Sequence, residues 1–207
     1  NSKQISFYLE VKDNFELLKT ELSEIEKLYA INRKKFEELK SITPNERVDD
    51  ENEALYYQIR NMFNDLTEKK YSEALLYFFI NKTAYSGMIR YNSKGEFNVP
   101  YGRYANLNTS LVTKAHNNLL AKTEIYNLDY SEIFKMADKD DFMFLDPPYD
   151  CVFSDYGNVE HKDGFNERNH IELANQYKQL KCKALMVIGR TPLTEKLYGE
   201  MIVDEYG

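Results

Sequence analysis

With 207 residues, 43% of them hydrophobic, the chain has apolar material for one large domain or a core with a smaller subdomain, which excludes wholesale disorder. Two cysteines and three scattered histidines exclude a disulfide framework and show no metal-ligand spacing, so no metal is expected and a reducing cytoplasm is the expected compartment. The formal charge of −7 argues against nonspecific coating of nucleic acid, and the lack of any long apolar run leaves no membrane partner expected.

Residues 8–40 predict a helix, because Phe15, Leu18, Leu22, Ile25 and Tyr29 recur at spacings of three and four with Lys and Glu elsewhere. The heptads are not sustained, so this stripe is expected to face a core and not a coiled-coil partner. Pro44 and the acidic cluster Asp49, Asp50 and Glu51 mark a loop over 41–52. A second helix is expected around Leu55, Ile59, Met62, Phe63 and Leu66, and a third around Ala74, Leu75, Phe78 and Phe79, running towards Asn81.

Past residue 85 the pattern changes. Gly87, Gly95, Pro100 and Gly102 punctuate short segments such as Glu96-Phe97-Asn98-Val99, which suits a hairpin or ordered loop. The stretch is locally basic: between 82 and 114, Lys82, Arg90, Lys94, Arg103 and Lys114 face Glu96 as the lone acidic residue. From 123 onward, strands predicted at 123–128, 142–145, 184–188 and 201–205 alternate with helices at 131–137, 167–181 and 192–198, indicating an α/β sheet buried on both faces. Three parts follow: a leading helix over 1–50, a helical and hairpin subdomain over 51–120, and an α/β core over 121–207.

Within that core, an apolar strand ends in Asp146-Pro147-Pro148-Tyr149. Strand ends of open α/β sheets deliver their side chains to a ligand crevice. The prolines fix φ and remove two backbone donors, leaving rigid carbonyl acceptors. A carboxylate, a bare carbonyl and an aromatic face together suit a planar base with an exocyclic amine. The Asp146 carboxylate and the Pro147 carbonyl can each accept one amine hydrogen, freeing a nitrogen lone pair otherwise delocalised into the ring, while Tyr149 stacks on the base. The bland alternative is a strand that stops at a Pro-Pro turn with Asp146 as a cap. The same tetrapeptide also occurs in RNA guanine-N2 methyltransferases, with close variants for cytosine N4, so alone it indicates methylation of a planar amine.

Residues 81–104, NKTAYSGMIRYNSKGEFNVPYGRY, resemble the Dam-type (D12 class) DNA adenine-N6 methyltransferases, with Ser86 standing where that family usually has Asn. The resemblance implies a partial Rossmann-like S-adenosylmethionine-dependent methyltransferase sheet with an inserted, mainly helical target-recognition subdomain. It also implies double-stranded DNA as partner, methyl transfer to adenine N6 of a flipped base, and a bacterial or phage origin. It places residues 81–104 in the DNA-binding part. There Arg90 suits a guanine edge or a phosphate, and Asn92 a base edge or a loop-stabilising bond. Lys82, Lys94 and Arg103 suit phosphates, and Asn98 and Pro100 are counted with them. Tyr91, Phe97 and Tyr101 suit stacking on DNA or, alternatively, the small core of the hairpin.

Residues 126–130, YNLDY, resemble the family's strand ending in an acid and an aromatic, which implies a cofactor contact for Asp129 and Tyr130; Asp129 equally suits the N-cap of the next helix. Asp146 is expected to face the cofactor as well as the base. Residues 153–165 resemble a loop closing over the flipped base, and 165–174 a helix start in which His170 is structural. The family's opening F-x-G-x-G loop is not found, and near Gly189-Arg190-Thr191-Pro192 the family more often has Ser-Asn before Thr-Pro. The chain therefore reads as an internal fragment, expected to bind cofactor weakly by itself. Rival readings are an RNA guanine-N2 or cytosine-N4 methyltransferase and a noncatalytic DNA-binding module.

Overall fold

The apolar stripe of the long amphipathic stretch is the inner face of a 28-residue helix, whose Phe15, Leu18, Leu22, Ile25 and Tyr29 are all buried. The computed structural model describes residues 2–150 and 165–206. It divides into two units, residues 1–127 and 128–207, each with its own contacts.

The first unit is helical. Where one helix was expected over 8–40 there are two, α1 (Ser2–Asp13) and α2 (Phe15–Ile42). Asn14 interrupts them with φ −127° and ψ 32°, and its side chain turns back to the Glu10 carboxylate at 3.0 Å. Short polar side chains that bond locally compete with helical backbone, which accounts for a break at this position. The acidic loop ends at Asp50, whose carboxylate accepts from the Asn52 amide and caps α3 (Glu51–Phe63). Asp65 lies at φ 58°, so the helix stops before Leu66, which is 57% exposed. Ser72 caps α4 (Glu73–Thr83), a helix buried on most sides through Ala74, Leu75, Leu76, Phe78, Phe79 and Ile80. A further helix, α5 (Lys114–Leu120), was not expected; it packs on α1, where the Asn117 amide donates to the carbonyls of Val11 and Lys12.

Between α4 and α5 the chain forms an irregular hairpin. Tyr91 and Phe97 form one antiparallel bridge, Ala84 and Tyr101 another. Gly95 closes the turn at φ 78°, a left-handed conformation that glycine adopts without steric cost. Along the returning arm Phe97, Val99 and Tyr101 are buried, Asn98 is half-buried and Pro100 is exposed, the period-two alternation of an extended segment on a core. One row of α3 and its cap holds that arm: Asn64 pairs with both backbone groups of Phe97 (2.8 and 2.9 Å), while Tyr56 and Arg60 donate to the Val99 carbonyl (2.9 and 3.2 Å).

The second unit is a β-α-β element with flanking helices. After α6 (Tyr130–Met136), β1 (Phe142–Leu145) pairs in parallel with β2 (Lys183–Met186), with α7 (Glu167–Tyr177) between them in sequence. The ladder runs one bond past β2, from the Val187 amide to the Leu145 carbonyl at 3.0 Å. α8 (Pro192–Tyr198) follows. The class is α/β with a small parallel sheet and helical insertion, as expected, but burial alternates exposed and half-buried along both strands, so neither is covered on both faces among the described residues.

Two expected strands are absent among the described residues. Segment 123–128 is irregular, with Tyr126 and Leu128 exposed, and Met201 closes a 3-10 turn (Gly199–Met201) after which 202–205 forms no regular element. A strand needs a hydrogen-bonding neighbour, and neither segment has one there. Within the first unit α1 packs on α4, and α2 on α3 and α4. Residues 153–164 of the expected closing loop, with Cys151 and His161, lie outside the described residues.

Candidate active site

Strand β1 carries the chain to Asp146 at its carboxyl end, next to the end of β2. Asp146 is exposed, Pro147 and Pro148 are half-buried, and Tyr149 is 39% exposed. The carboxylate and the partly open aromatic ring thus stand exposed at one strand tip, the end at which open α/β sheets bind ligands.

The turn is anchored from the N-terminus of α8. The Thr191 hydroxyl donates to the Asp150 carboxylate at 2.7 Å, and Thr191 is also the N-cap of α8, in a reciprocal capping box with Thr194. The Thr194 hydroxyl donates to the Gly189 carbonyl at 2.8 Å. Gly189 lies beside the tyrosine: a Cβ placed on it would be 3.8 Å from Tyr149 Cγ. Sequence reasoning missed Asp150 and marked Gly189 only as part of a loop that departs from the family's pattern; the available signal was the Thr-Pro helix start at 191–192.

Beneath this region His170, on the first turn of α7, is fully buried with neither ring nitrogen hydrogen-bonded, and its ring stands edge-on to Phe165 at 4.7 Å. Burial pushes its pKa below the usual histidine value, opposed by the Asp150 charge. Asp129 caps α6 by accepting from the Ser131 amide at 3.0 Å, the capping alternative read from the sequence. Tyr130 is half-buried against Phe134, and burial raises its phenol pKa.

The DNA-binding candidates lie in the helical unit. Lys82, Arg90, Lys94, Pro100 and Arg103 are exposed. Arg90 Nε donates to Asn98 at 3.0 Å, and Arg103, at φ 56°, pairs with Glu53 at 3.3 Å. Asn92 is occupied in the turn: its carbonyl oxygen accepts from the amides of Lys94 and Glu96, and its amide donates to the Glu96 carboxylate. These are loop-stabilising bonds, one of the two roles read for Asn92 from the sequence. Tyr91 is half-buried, edge-on to the buried Phe97. Tyr101 is corrected outright. It is only 6% exposed, packed against Tyr56 and hydrogen-bonded to Tyr29, so its ring cannot stack on DNA. A residue overlooked in the sequence is Tyr85, 55% exposed on a 3-10 turn (Tyr85–Gly87) where Ser86 has φ 53°. The neighbouring Ser86-Gly87 pair was its signal.

Comparison with known proteins settles the family. Residues 1–205 match the model of the D12 class N6 adenine-specific DNA methyltransferases. The chain belongs to this family. This D12-class chain is similar to the type II methyltransferase M.CviBI of Paramecium bursaria Chlorella virus NC1A, 38% identical over 74% of the chain and 57% of that protein. It is similar to the type II methyltransferase M1.LlaDCHI of Lactococcus lactis subsp. cremoris, 30% identical over 96% of the chain and 66% of that protein. It is also similar to the retron Ec67 DNA adenine methylase of Escherichia coli, 34% identical over 70% of the chain and 52% of that protein. The D12-class chain thus spans between about half and two-thirds of the length of these relatives. Its small parallel sheet and helical insertion agree with a partial Rossmann-like methyltransferase fold. No helix among its described residues is long and apolar enough to cross a membrane.

Proposed function

We propose that the protein carrying this chain is a site-specific DNA methyltransferase that transfers a methyl group to adenine N6 in duplex DNA. The observation that carries the reading is the exposed Asp146-Pro147-Pro148-Tyr149 turn at the tip of β1, in a chain of the D12 family. Type II relatives bring restriction-modification to the reading, and the retron relative names adenine methylation directly.

The family implies S-adenosylmethionine, and the residues present fit it. The carboxylates of Asp129 and Asp146 are exposed acceptors suited to its amino and hydroxyl hydrogens, and the half-buried ring of Tyr130 offers a face for its adenine. When bound, this group supplies an electrophilic methyl carbon on a sulfonium. The Asp146 carboxylate and the Pro147 carbonyl accept the two hydrogens of the target amine, which localises the lone pair on N6. N6 would take the methyl group, leaving S-adenosylmethionine as the neutral thioether, while the proton that N6 loses would pass through its hydrogen bond to the exposed Asp146 carboxylate and on to water. Pro148 stiffens the turn and Tyr149 fixes the plane of the base, so the contribution is orientation.

A base inside a duplex has to be extruded before its amine can reach this turn. The hairpin of the helical unit supplies the grip: Lys82, Lys94 and Arg103 for phosphates, Arg90 for a base edge or phosphate, and Asn98 and Pro100 beside them. Exposed Tyr85 is the aromatic best placed to contact unstacked bases.

Mass spectrometry of nucleosides from DNA and RNA incubated with the protein and S-adenosylmethionine tests this. N6-methyladenine in DNA alone is expected. Methylated guanine N2 or cytosine N4 would replace the reading with its rival, and DNA binding without any methylation would leave a binding module.

A further inference from the structure

We infer that Asp150 and Thr191 form a clamp that positions Tyr149, and that the chain uses it to hold the stacking ring at a fixed angle over the target base. The inference rests on the reading of Tyr149 as the residue that stacks on the adenine.

Tyr149, 39% exposed at a strand tip, has to present its ring in one plane for stacking. Two features next to it help to set that plane. On its carboxyl side, Asp150 accepts from the Thr191 hydroxyl at 2.7 Å, a short charge-assisted bond between half-buried groups. Alongside the ring stands Gly189, whose backbone approaches so that an added Cβ would sit 3.8 to 3.9 Å from Cγ, Cβ and Cδ2 of Tyr149.

Both features are fastened to the same small structure. Thr191 and Thr194 cap α8 reciprocally, with the Thr191 amide donating to the Thr194 hydroxyl at 2.8 Å and the Thr194 amide to the Thr191 hydroxyl at 3.2 Å. Thr194 is buried and donates onward to the Gly189 carbonyl at 2.8 Å. The Val187–Leu145 bond joins the two strands just before this point. The backbone that lines Tyr149 and the hydroxyl that holds its neighbour therefore move as one body with the start of α8. Asp150 and Thr191 are positioning residues: neither is required to touch substrate.

The clamp makes a kinetic statement. Breaking it should leave binding intact and slow chemistry, because misplacing a reacting group by about 1 Å costs up to ~100-fold in rate. The test uses single-turnover methylation by the protein carrying this chain. Asp150→Ala and Thr191→Val are each expected to lower the rate at least roughly tenfold, with unchanged KM for S-adenosylmethionine and unchanged DNA affinity. The double variant should be no slower than either single one, since both remove the same bond. Asp150→Asn keeps a carbonyl acceptor and Thr191→Ser keeps the donor, so both should restore the rate. Wild-type rates in Asp150→Ala, additive losses in the double variant, or failure of both conservative variants to rescue would overturn the clamp. Melting curves on each variant identify any rate loss that comes from unfolding, which would also count against it. A wild-type protein that makes no N6-methyladenine would instead sink the reading of Tyr149, an outcome read from a different sample.

Discussion

The hydroxyls of Tyr101 and Tyr29 lie 2.5 Å apart in the interior of the helical unit, and Tyr29 donates in turn to the Tyr104 carbonyl at 2.6 Å. Because Tyr29 spends its proton on that carbonyl, Tyr101 is the donor between the two phenols. This chain of bonds ties α2 to the end of the hairpin. It assigns Tyr101 to stability and leaves the proposed DNA contacts to the exposed face of the hairpin. Tyr101→Phe is expected to cost about 1 kcal/mol of unfolding free energy, and Tyr101→Ala about 3 to 5 kcal/mol by analogy with other buried aromatics. Chemical denaturation measures both. DNA affinity of the folded Tyr101→Phe variant should match wild type.

The same phenols set an alkaline limit. Burial raises the pKa of Tyr29, Tyr56 and Tyr101 above the ordinary 10.0, and that of Tyr198 in the other unit to about 12. The folded state then holds protons that the unfolded chain has released, so stability is full below pH 10 and falls as pH rises beyond it. Tyrosinate absorbance during a pH titration should show the buried tyrosines lagging until cooperative unfolding releases them.

His170 sets the acid limit of the α/β unit. Its folded pKa lies below the unfolded 6.5, since burial outweighs the opposing charge of Asp150. A depressed histidine contributes stability that is present above pH 6.5 and lost as pH falls through the folded value. Denaturation midpoints are expected to drop on acidification below pH 6.5. In His170→Leu, which places an apolar side chain in the same buried site, that part of the pH dependence should vanish.

Asn92 and Lys94 share a turn but should behave differently on DNA. Asn92 is committed to three bonds within the turn, whereas Lys94 is exposed. Lys94→Ala is expected to reduce the slope of log K against log salt by about 1. Asn92→Ala should weaken binding by loosening the hairpin and leave that slope unchanged. Affinities measured across a salt series separate the two.

Much of this was legible before any coordinates. The buried face of α2 followed from three- and four-residue spacing, and the strand ending at Asp146 from a short apolar run closed by two prolines. The alternation of Phe97, Val99 and Tyr101 against Asn98 and Pro100 was equally present, yet the family resemblance of 81–104 points Tyr101 towards DNA, with the hairpin core as its alternative. Its inward position depends on the length of α3 and the place of Tyr56, which no local pattern encodes. Gly102 illustrates the same limit. A Cβ there would approach the Thr83 and Ala84 carbonyls at 3.0 Å, a constraint from a chain segment that spacing alone does not bring near. The segments at 123–128 and 201–205 have the apolar character of strands, but strand formation is decided by a neighbour and not by the segment itself. The Asp150–Thr191 bond joins residues 41 positions apart and is invisible to any window.

The central claim is that two acceptors at the tip of β1 activate an adenine amine. Asp146→Ala in the protein carrying this chain tests it, with N6-methyladenine formation and DNA affinity measured on the same preparation. Methylation should be abolished while binding to duplex DNA stays within about twofold, as expected when DNA affinity comes mainly from phosphate contacts and not from the amine acceptors. Methylation by Asp146→Ala at the wild-type rate would contradict the account.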